Sequence, residues 1–534
     1  MKSHLWFSEN TDVPTQSPWV SGHRLRHGIW PKDPSPEEIH YVADVKSRLA
    51  TYSGCKIGLL DLDDETIWDV SRAVSRQVDL YLWNTASTIG APPSMVHDLA
   101  FETPAPGSCD VIVVGYRIWQ ALPGIAEFAL GALTSRGAIL MPSATDLSSS
   151  ALAMDNAQST PHLFVWRRTR INLLMVAPGL VAGGADRALI DLINGLDSNQ
   201  FNLYLATTEP QSNIWIKHIL NRVTEYWDIG SMGTDHLMRQ NMLQHVVMTK
   251  HVDQMYIMHS QIGFDILPWL KAHTYVKTIA QFHLEEPGGG WIQYALSRYQ
   301  NLIDRIVVIS HDLKQQLIAK YYVEPHKISV VYLGLAVPDS PTPPPLPASA
   351  GEIRILYPAR LDPQKAPGRV VDIAQMLQLQ QINAIIDVVG SGSLETDLRN
   401  MLRRTRLESK VLLHGAEDPA KMRQWYQKSH AVLLTSDYEG LPLVILEAMA
   451  EGRPAIAPDL GATREVITPD TGFLIPEPSN ISAYVHAIDE LAHNPRLVET
   501  LGAAAHRRVQ QQFDPHDTLK KYQEIFFGLT RPVT

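Results

Sequence analysis

The sequence predicts an α/β protein in which two doubly wound domains face a cleft, preceded by a small α/β module. Three observations carry this. Short apolar runs alternate with helical patterns through the later part of the chain, the signature of βαβ units whose parallel sheet is covered on both faces. Two stretches read as seams: SATDLSSSALAMDNAQST at 143–160, small and polar, and VPDSPTPPPLPASA at 337–350, with six prolines that favour an extended connector. The length of 534 residues suits about three domains at roughly 150 residues each.

The seams give a front module at 1–160, a first cleft domain at 161–340, a second at 341–515 and a terminal helix at 516–534. In the front module, KIGLL (56–60), DLYLW (79–83), DVIVVG (110–115) and AILMP (138–142) read as strands with helices between. DVIVVG, a helix and RGAILMP resemble the later half of a methyltransferase sheet. KIGLLDLDDET lacks the glycine-rich loop such an enzyme needs, so docking or scaffolding is the expected role. In the first cleft domain the strands are INLLMVA (171–177), FNLYLATT (201–208), MYIMH (255–259), VKTIAQFH (276–283), RIVVIS (305–310) and ISVVYL (328–333). In the second they are IRILYP (353–358), AIIDVVG (384–390), KVLLHG (410–415), AVLLTS (431–436) and PAIAP (454–458).

Composition narrows the function classes. A net charge of −10 argues against a nucleic-acid binder. Two cysteines, Cys55 and Cys109, make neither a disulfide framework nor a cysteine metal site, which suits a reducing cytoplasm. No apolar run approaches the roughly 18 residues of a membrane span. MKSHLWFSENTD lacks the apolar core of a signal peptide. The expected location is cytoplasmic, with peripheral attachment to the inner face of the plasma membrane left open.

In open α/β sheets, ligands bind beyond the carboxyl ends of the strands, so the loops there carry the chemistry. Arg360 and Lys365 follow the strand IRILYP, where two cations suit a phosphate or diphosphate; the alternative is a solvated charged loop. Gly390 and Gly392 lie between a strand and a helix, where backbone approaches closely. SDYEGLPLVILEAMAEG, residues 436–452, joins a Gly/Pro turn to an apolar helix, with Pro442 suited to its first turn. The free N–H groups at that helix start favour an anion. Two carboxylates need explaining: Glu447 within the apolar helix and Glu439 in the turn before it. A buried ionised carboxylate costs several kcal/mol unless it is satisfied. A nucleoside diphosphate sugar would satisfy both, ribose on Glu447 and sugar on Glu439. A buried arginine or backbone donor would serve Glu447 equally well.

SDYEGLPLVILEAMAEGRPAIAPDLGATREVI resembles the Glu-x7-Glu signature of retaining glycosyltransferases of the GT-B fold, family 4, whose two domains are Rossmann-like. The resemblance covers most of 171–530. It includes YPARLDPQKAPGRVVDIA, DVVGSGSLETDLR, APGLVAGGADRALIDLINGL, DRIVVISHDLKQQL, KISVVYLG and the closing FDPHDTLKKYQEIFF. It implies that Glu439 contacts the donor sugar and Glu447 the ribose. Arg360 and Lys365 would hold the diphosphate beside the backbone of Gly440 and Leu441, with Gly183 and Gly184 at the cleft. It further implies a catalytic position for His283, near the transferred sugar. Two departures stand out: Asp186 in GGAD where the family usually has glutamate, and YLGL in place of a frequent Asn-Gly.

The implied activity moves a sugar from a nucleoside-diphosphate sugar, UDP or GDP undistinguished, to a sugar, lipid-linked or other hydroxyl acceptor in bacterial polysaccharide or glycoconjugate synthesis. Neither cofactor nor metal is expected. The alternatives are an epimerase or phosphorylase of the same fold and a non-catalytic nucleotide-sugar binder. A metal-dependent transferase would need a DxD motif; Asp61-Leu-Asp63 has the letters, but lies in the front module.

Overall fold

The computed structural model describes residues 170–529 apart from 182, 275 and 346–351, together with the backbone of seven strands before residue 170. Those strands are β1 (His4–Leu5), β2 (Lys56–Leu60), β3 (Asp79–Trp83), β4 (Cys109–Val114), β5 (Leu133–Met141), β6 (Leu152–Met154) and β7 (Phe164–Arg168). They form one sheet in the order β1-β3-β2-β4-β5-β7-β6. β2 to β5 pair in parallel, while β7 runs antiparallel to both β5 and β6. β6 falls inside the stretch read as a seam, and β7 carries the front sheet past residue 160 to Arg168. The helices expected between these strands lie outside the described residues.

The first cleft domain is a parallel sheet of β8 (Ile171–Ala177), β9 (Phe201–Thr207), β10 (Glu225–Asp228), β11 (Gln254–Met258), β12 (Lys277–Phe282), β13 (Arg305–Val308) and β14 (Ile328–Val330), ordered β10-β9-β8-β11-β12-β13-β14. The second comprises β15 (Ile353–Pro358), β16 (Ala384–Val389), β17 (Val411–Gly415), β18 (Ala431–Leu433), β19 (Ala455–Pro458) and β20 (Gly472–Ile475), ordered β17-β16-β15-β18-β19-β20. Each sheet grows outward from its first strand in both directions. The topological switch points therefore lie between β8 and β11 and between β15 and β18. The loops that leave β15 and β18 carry Lys365 and Glu439.

Burial follows the pattern expected of a sheet covered on both faces: every residue of β8 and β11 is buried. The terminal helix, Pro515–Leu529, crosses onto the first domain. Phe526 and Phe527 pack against Phe201, with ring centroids 5.8 and 5.4 Å away. Gln254 Nε2 donates to the Phe526 carbonyl at 2.6 Å, and the Tyr522 hydroxyl to Gln281 Oε1 at 3.0 Å. The proline stretch is tied to the second domain by Arg453, whose fully buried guanidinium donates to the carbonyls of Thr342 (2.8 Å) and Pro343 (3.1 Å).

Glu465, on the short helix Ala462–Val466 of the second domain, reaches across the cleft. Its carboxylate accepts from the backbone N–H of His311 at 2.9 Å and of Asp312 at 2.8 Å, and from the Tyr332 hydroxyl at 2.7 Å. It thus caps the first-domain helix His311–Tyr321 from the other domain. Glu465→Ala should cost about 2 kcal/mol and lower the midpoint of thermal unfolding; an unchanged midpoint would mean that solvent replaces this clasp without penalty.

Candidate active site

Glu439 and Lys365 meet at the switch point of the second domain. Lys365 Nζ lies 2.5 Å from Glu439 Oε1, and the two side chains are 15% and 5% exposed. The Ser436 hydroxyl donates to the same oxygen at 2.5 Å. The backbone holds both residues in place. The Lys365 carbonyl accepts from the hydroxyls of Tyr357 (2.7 Å) and Thr435 (2.9 Å). The Asp437 N–H bonds to the Gln364 carbonyl at 2.9 Å, and Gln364 Nε2 to the Tyr438 carbonyl at 3.1 Å. The two loops are thereby stitched into one unit.

Arg360 stands apart from this pair. It is 66% exposed and turns to Asp362 at 2.8 Å and to Gln364 at 3.2 Å. Gly390 and Gly392 support its loop: a Cβ on either would lie 2.0 Å from the Ala359 carbonyl oxygen or 2.6 Å from the Leu361 carbonyl. In this structure these glycines make their close approach to the backbone of 359–361. The turn is fastened by Ser393, which donates through its N–H (3.0 Å) and hydroxyl (2.9 Å) to Asp362.

The helix runs Leu443–Ala450, and Pro442 sits at its N-cap rather than in its first turn, leaving the start without a side-chain cap. Gly440 presses against the first domain, where a Cβ would lie 2.2 Å from the His283 carbonyl oxygen. Leu441 is buried in the second-domain core. Gly184, at the start of the first-domain helix Gly184–Gly195, faces Leu443 closely enough that a Cβ would meet its Cδ1 at 3.1 Å. Gly183 has open space at its Cα.

Glu447 is half-buried. Its Oε2 accepts from the Tyr426 hydroxyl at 2.6 Å, and Oε1 takes no hydrogen bond from any described residue. Burial pushes its carboxyl above the ordinary range, while Tyr426 and the Arg187 guanidinium of the facing domain pull it back. Both glutamates also have partners within the protein. Glu439 is held by Lys365 and Ser436, and Glu447 is held on one oxygen by a tyrosine. The buried arginine or backbone donor weighed as the alternative is not what meets Glu447.

His283, at the end of β12, is 9% exposed, and neither ring nitrogen has a hydrogen-bond partner. Its ring lies edge-on to His259, with centroids 5.2 Å apart. Burial, reinforced by His259, holds its pKa well below the usual value, so the ring is neutral near pH 7. Arg187, Tyr426 and Arg369 were not foreseen. Arg369 donates to the Thr435 carbonyl at 2.6 Å and to Asp437 at 2.5 Å, bracing the Glu439 turn. Among the described residues, no group of three or more His, Cys, Asp or Glu side chains is arranged to hold a metal, and no helix is long and apolar enough to cross a membrane.

Two family models divide the cleft domains between them: Glycosyltransferase Family 4 over residues 182–337 and Glycosyl transferases group 1 over 342–508. The chain is 29% identical to the amylovoran biosynthesis glycosyltransferase AmsD of Erwinia amylovora over 172 residues, 32% of this chain and 47% of that protein. It is 24% identical to glycogen synthase of Mycobacterium tuberculosis over 283 residues, 49% of this chain and 68% of that protein. The chain thus spans about half the length of several curated relatives. Its fold resembles that of HepE from Anabaena, solved in complex with UDP, with a TM-score of 0.56 at 17% identity over 67% of this chain and 100% of that one. Two domains matched by glycosyltransferase family models thus face each other across the cleft of a GT-B fold.

Proposed function

We propose that this chain is a retaining glycosyltransferase that moves a sugar from a nucleoside-diphosphate sugar to a hydroxyl acceptor in bacterial polysaccharide or glycoconjugate synthesis. The observation that carries this is the Lys365–Glu439 pair beside the N-terminus of the Glu447 helix. In this reading Lys365 takes the diphosphate, Glu439 the sugar on one side of it and Glu447 the ribose on the other. The relatives' names, amylovoran biosynthesis and glycogen synthase, agree with sugar transfer in polysaccharide synthesis.

In the proposed reaction the acceptor oxygen bonds to the anomeric carbon. The bond to the diphosphate oxygen breaks and leaves its electron pair there. The acceptor's proton passes to the diphosphate on the same face, which retains configuration. Lys365, Arg360 and the helix start stabilise the leaving charge, and Glu439 holds sugar hydroxyls as positive charge grows at the anomeric carbon. His283, neutral and in need of partners, orients donor or acceptor hydroxyls.

Screening nucleotide sugars for thermal stabilisation and donor hydrolysis tests the reading; it fails if none binds and none is cleaved. Because the charge is carried by side chains, saturating chelator should leave the rate nearly unchanged. A strict requirement for magnesium or manganese, restored on re-addition, would contradict this.

Glu447 adds a pH signature. A ribose diol needs the ionised carboxylate, and Glu447 takes up its proton above the ordinary glutamate range of about 4.3. Nucleoside diphosphate affinity should therefore fall as pH drops through that raised pKa. Glu447→Gln should bind more weakly at neutral pH and lack this limb, as calorimetry across the acid side of neutrality would reveal. Identical pH profiles for the two proteins would remove Glu447 from the ribose site.

A further inference from the structure

Beside Glu439 the domains line an open cavity of about 630 Å³, within the range of ligand sites. Its first-domain wall is formed by the loop after β12 and the helix His311–Tyr321. That wall is rich in acceptor atoms that lack donors. Glu285 Oε1 accepts from Lys320 (3.1 Å) and from the Tyr321 hydroxyl (2.9 Å), but its Oε2 is buried with no partner. Glu286 is exposed and forms no ion pair with any described residue. Asp312 uses one oxygen for Gln316 at 2.6 Å. Lys320, the wall's one lysine, is already committed to Glu285. His283, nine-tenths buried and without a partner on either ring nitrogen, lines the same space.

We propose that this cavity receives the acceptor, and that the acceptor's reacting end is an unphosphorylated sugar, neutral or amine-bearing. The proposal rests on the transferase reading above and deepens it. Sugar hydroxyls and ammonium groups bring the donors that Glu285 Oε2, Glu286, Asp312 and one nitrogen of His283 lack. A phosphate brings only acceptors and negative charge, and would face three carboxylates that repel it. A phosphate-bearing carrier lipid, if attached, must lie beyond this wall. The acceptor hydroxyl then forms its bond to the anomeric carbon at the Glu439 end of the cavity, while the donor's bond to the diphosphate breaks and the acceptor proton leaves with that diphosphate.

The test uses the full chain and whichever nucleotide sugar it hydrolyses. Release of nucleoside diphosphate is measured with methyl hexosides, methyl hexosaminides and the corresponding methyl hexoside phosphates. The neutral and amino glycosides should accelerate release above hydrolysis, with the phosphates about tenfold or more poorer, the equivalent of one like-charge contact. Glu286→Lys combined with Asp312→Asn should narrow that gap by a similar factor. Both side chains lie at the cavity surface, so the variant should fold, which its melting curve checks. Phosphates that match or surpass the neutral glycosides, an unchanged ratio in the variant, or no acceleration by any glycoside while hydrolysis persists would each overturn the assignment. Absence of binding and cleavage for every nucleotide sugar would instead bring down the transferase reading.

Discussion

Glu439→Gln should bind free nucleoside diphosphate more tightly than the parent protein while turning over donor about 10²–10³-fold more slowly. Both effects follow from one contact. Glu439 pairs with Lys365 at 2.5 Å, so an incoming diphosphate must compete with a carboxylate for that ammonium. Removing the charge frees Lys365 and removes a repulsion. A gain of about 1–2 kcal/mol, roughly tenfold in affinity, is expected. The complete donor does not share this gain, because its sugar hydroxyls satisfy the displaced glutamate. The Lys365–Glu439 pair joins two loops 74 residues apart and is invisible before folding. Calorimetry with the nucleoside diphosphate, alongside turnover, decides. Weaker nucleotide binding in Glu439→Gln would mean that the carboxylate does not guard the phosphate site.

Lys365→Ala should weaken nucleoside diphosphate binding by about 1.5–3 kcal/mol and leave nucleoside binding almost unchanged. Arg360→Ala should cost less, because Arg360 is 66% exposed, paired with Asp362 and screened by solvent. The lysine variant has a second consequence. Glu439, 5% exposed, would be left without its counter-charge. Breaking such a pair costs about 3–5 kcal/mol of stability. The double variant Lys365→Met with Glu439→Gln should recover melting temperature without recovering diphosphate affinity, separating the two roles. Equal losses for nucleoside and diphosphate would show that the loop does not hold phosphate.

The strands of both cleft domains were legible because a buried parallel strand is a short, nearly continuous apolar run. Two were missed for the same reason. β10, EYWD, is only half-buried, and β20, GFLI, is short and follows a turn. β6 was hidden in a small, polar stretch that looks like a linker. At the site, charged residues that share one loop or helix are visible in the sequence. The partners that fix their chemistry could not. Tyr426 precedes Glu447 by most of a helix and a strand, Arg369 acts on a turn far along the chain, and Glu465 caps a helix of the other domain. These contacts exist only once the sheets bring their carboxyl ends together. Arg187 is one polar residue on an amphipathic helix, and its electrostatic reach to Glu447 depends on how the domains face each other.

The most direct measurement is proton NMR of the sugar first released from an α-linked nucleotide sugar, before mutarotation scrambles its anomers. The account predicts cleavage of at least one such donor, with the α-anomer appearing first. Release of the β-anomer, or no cleavage of any nucleotide sugar, would contradict it.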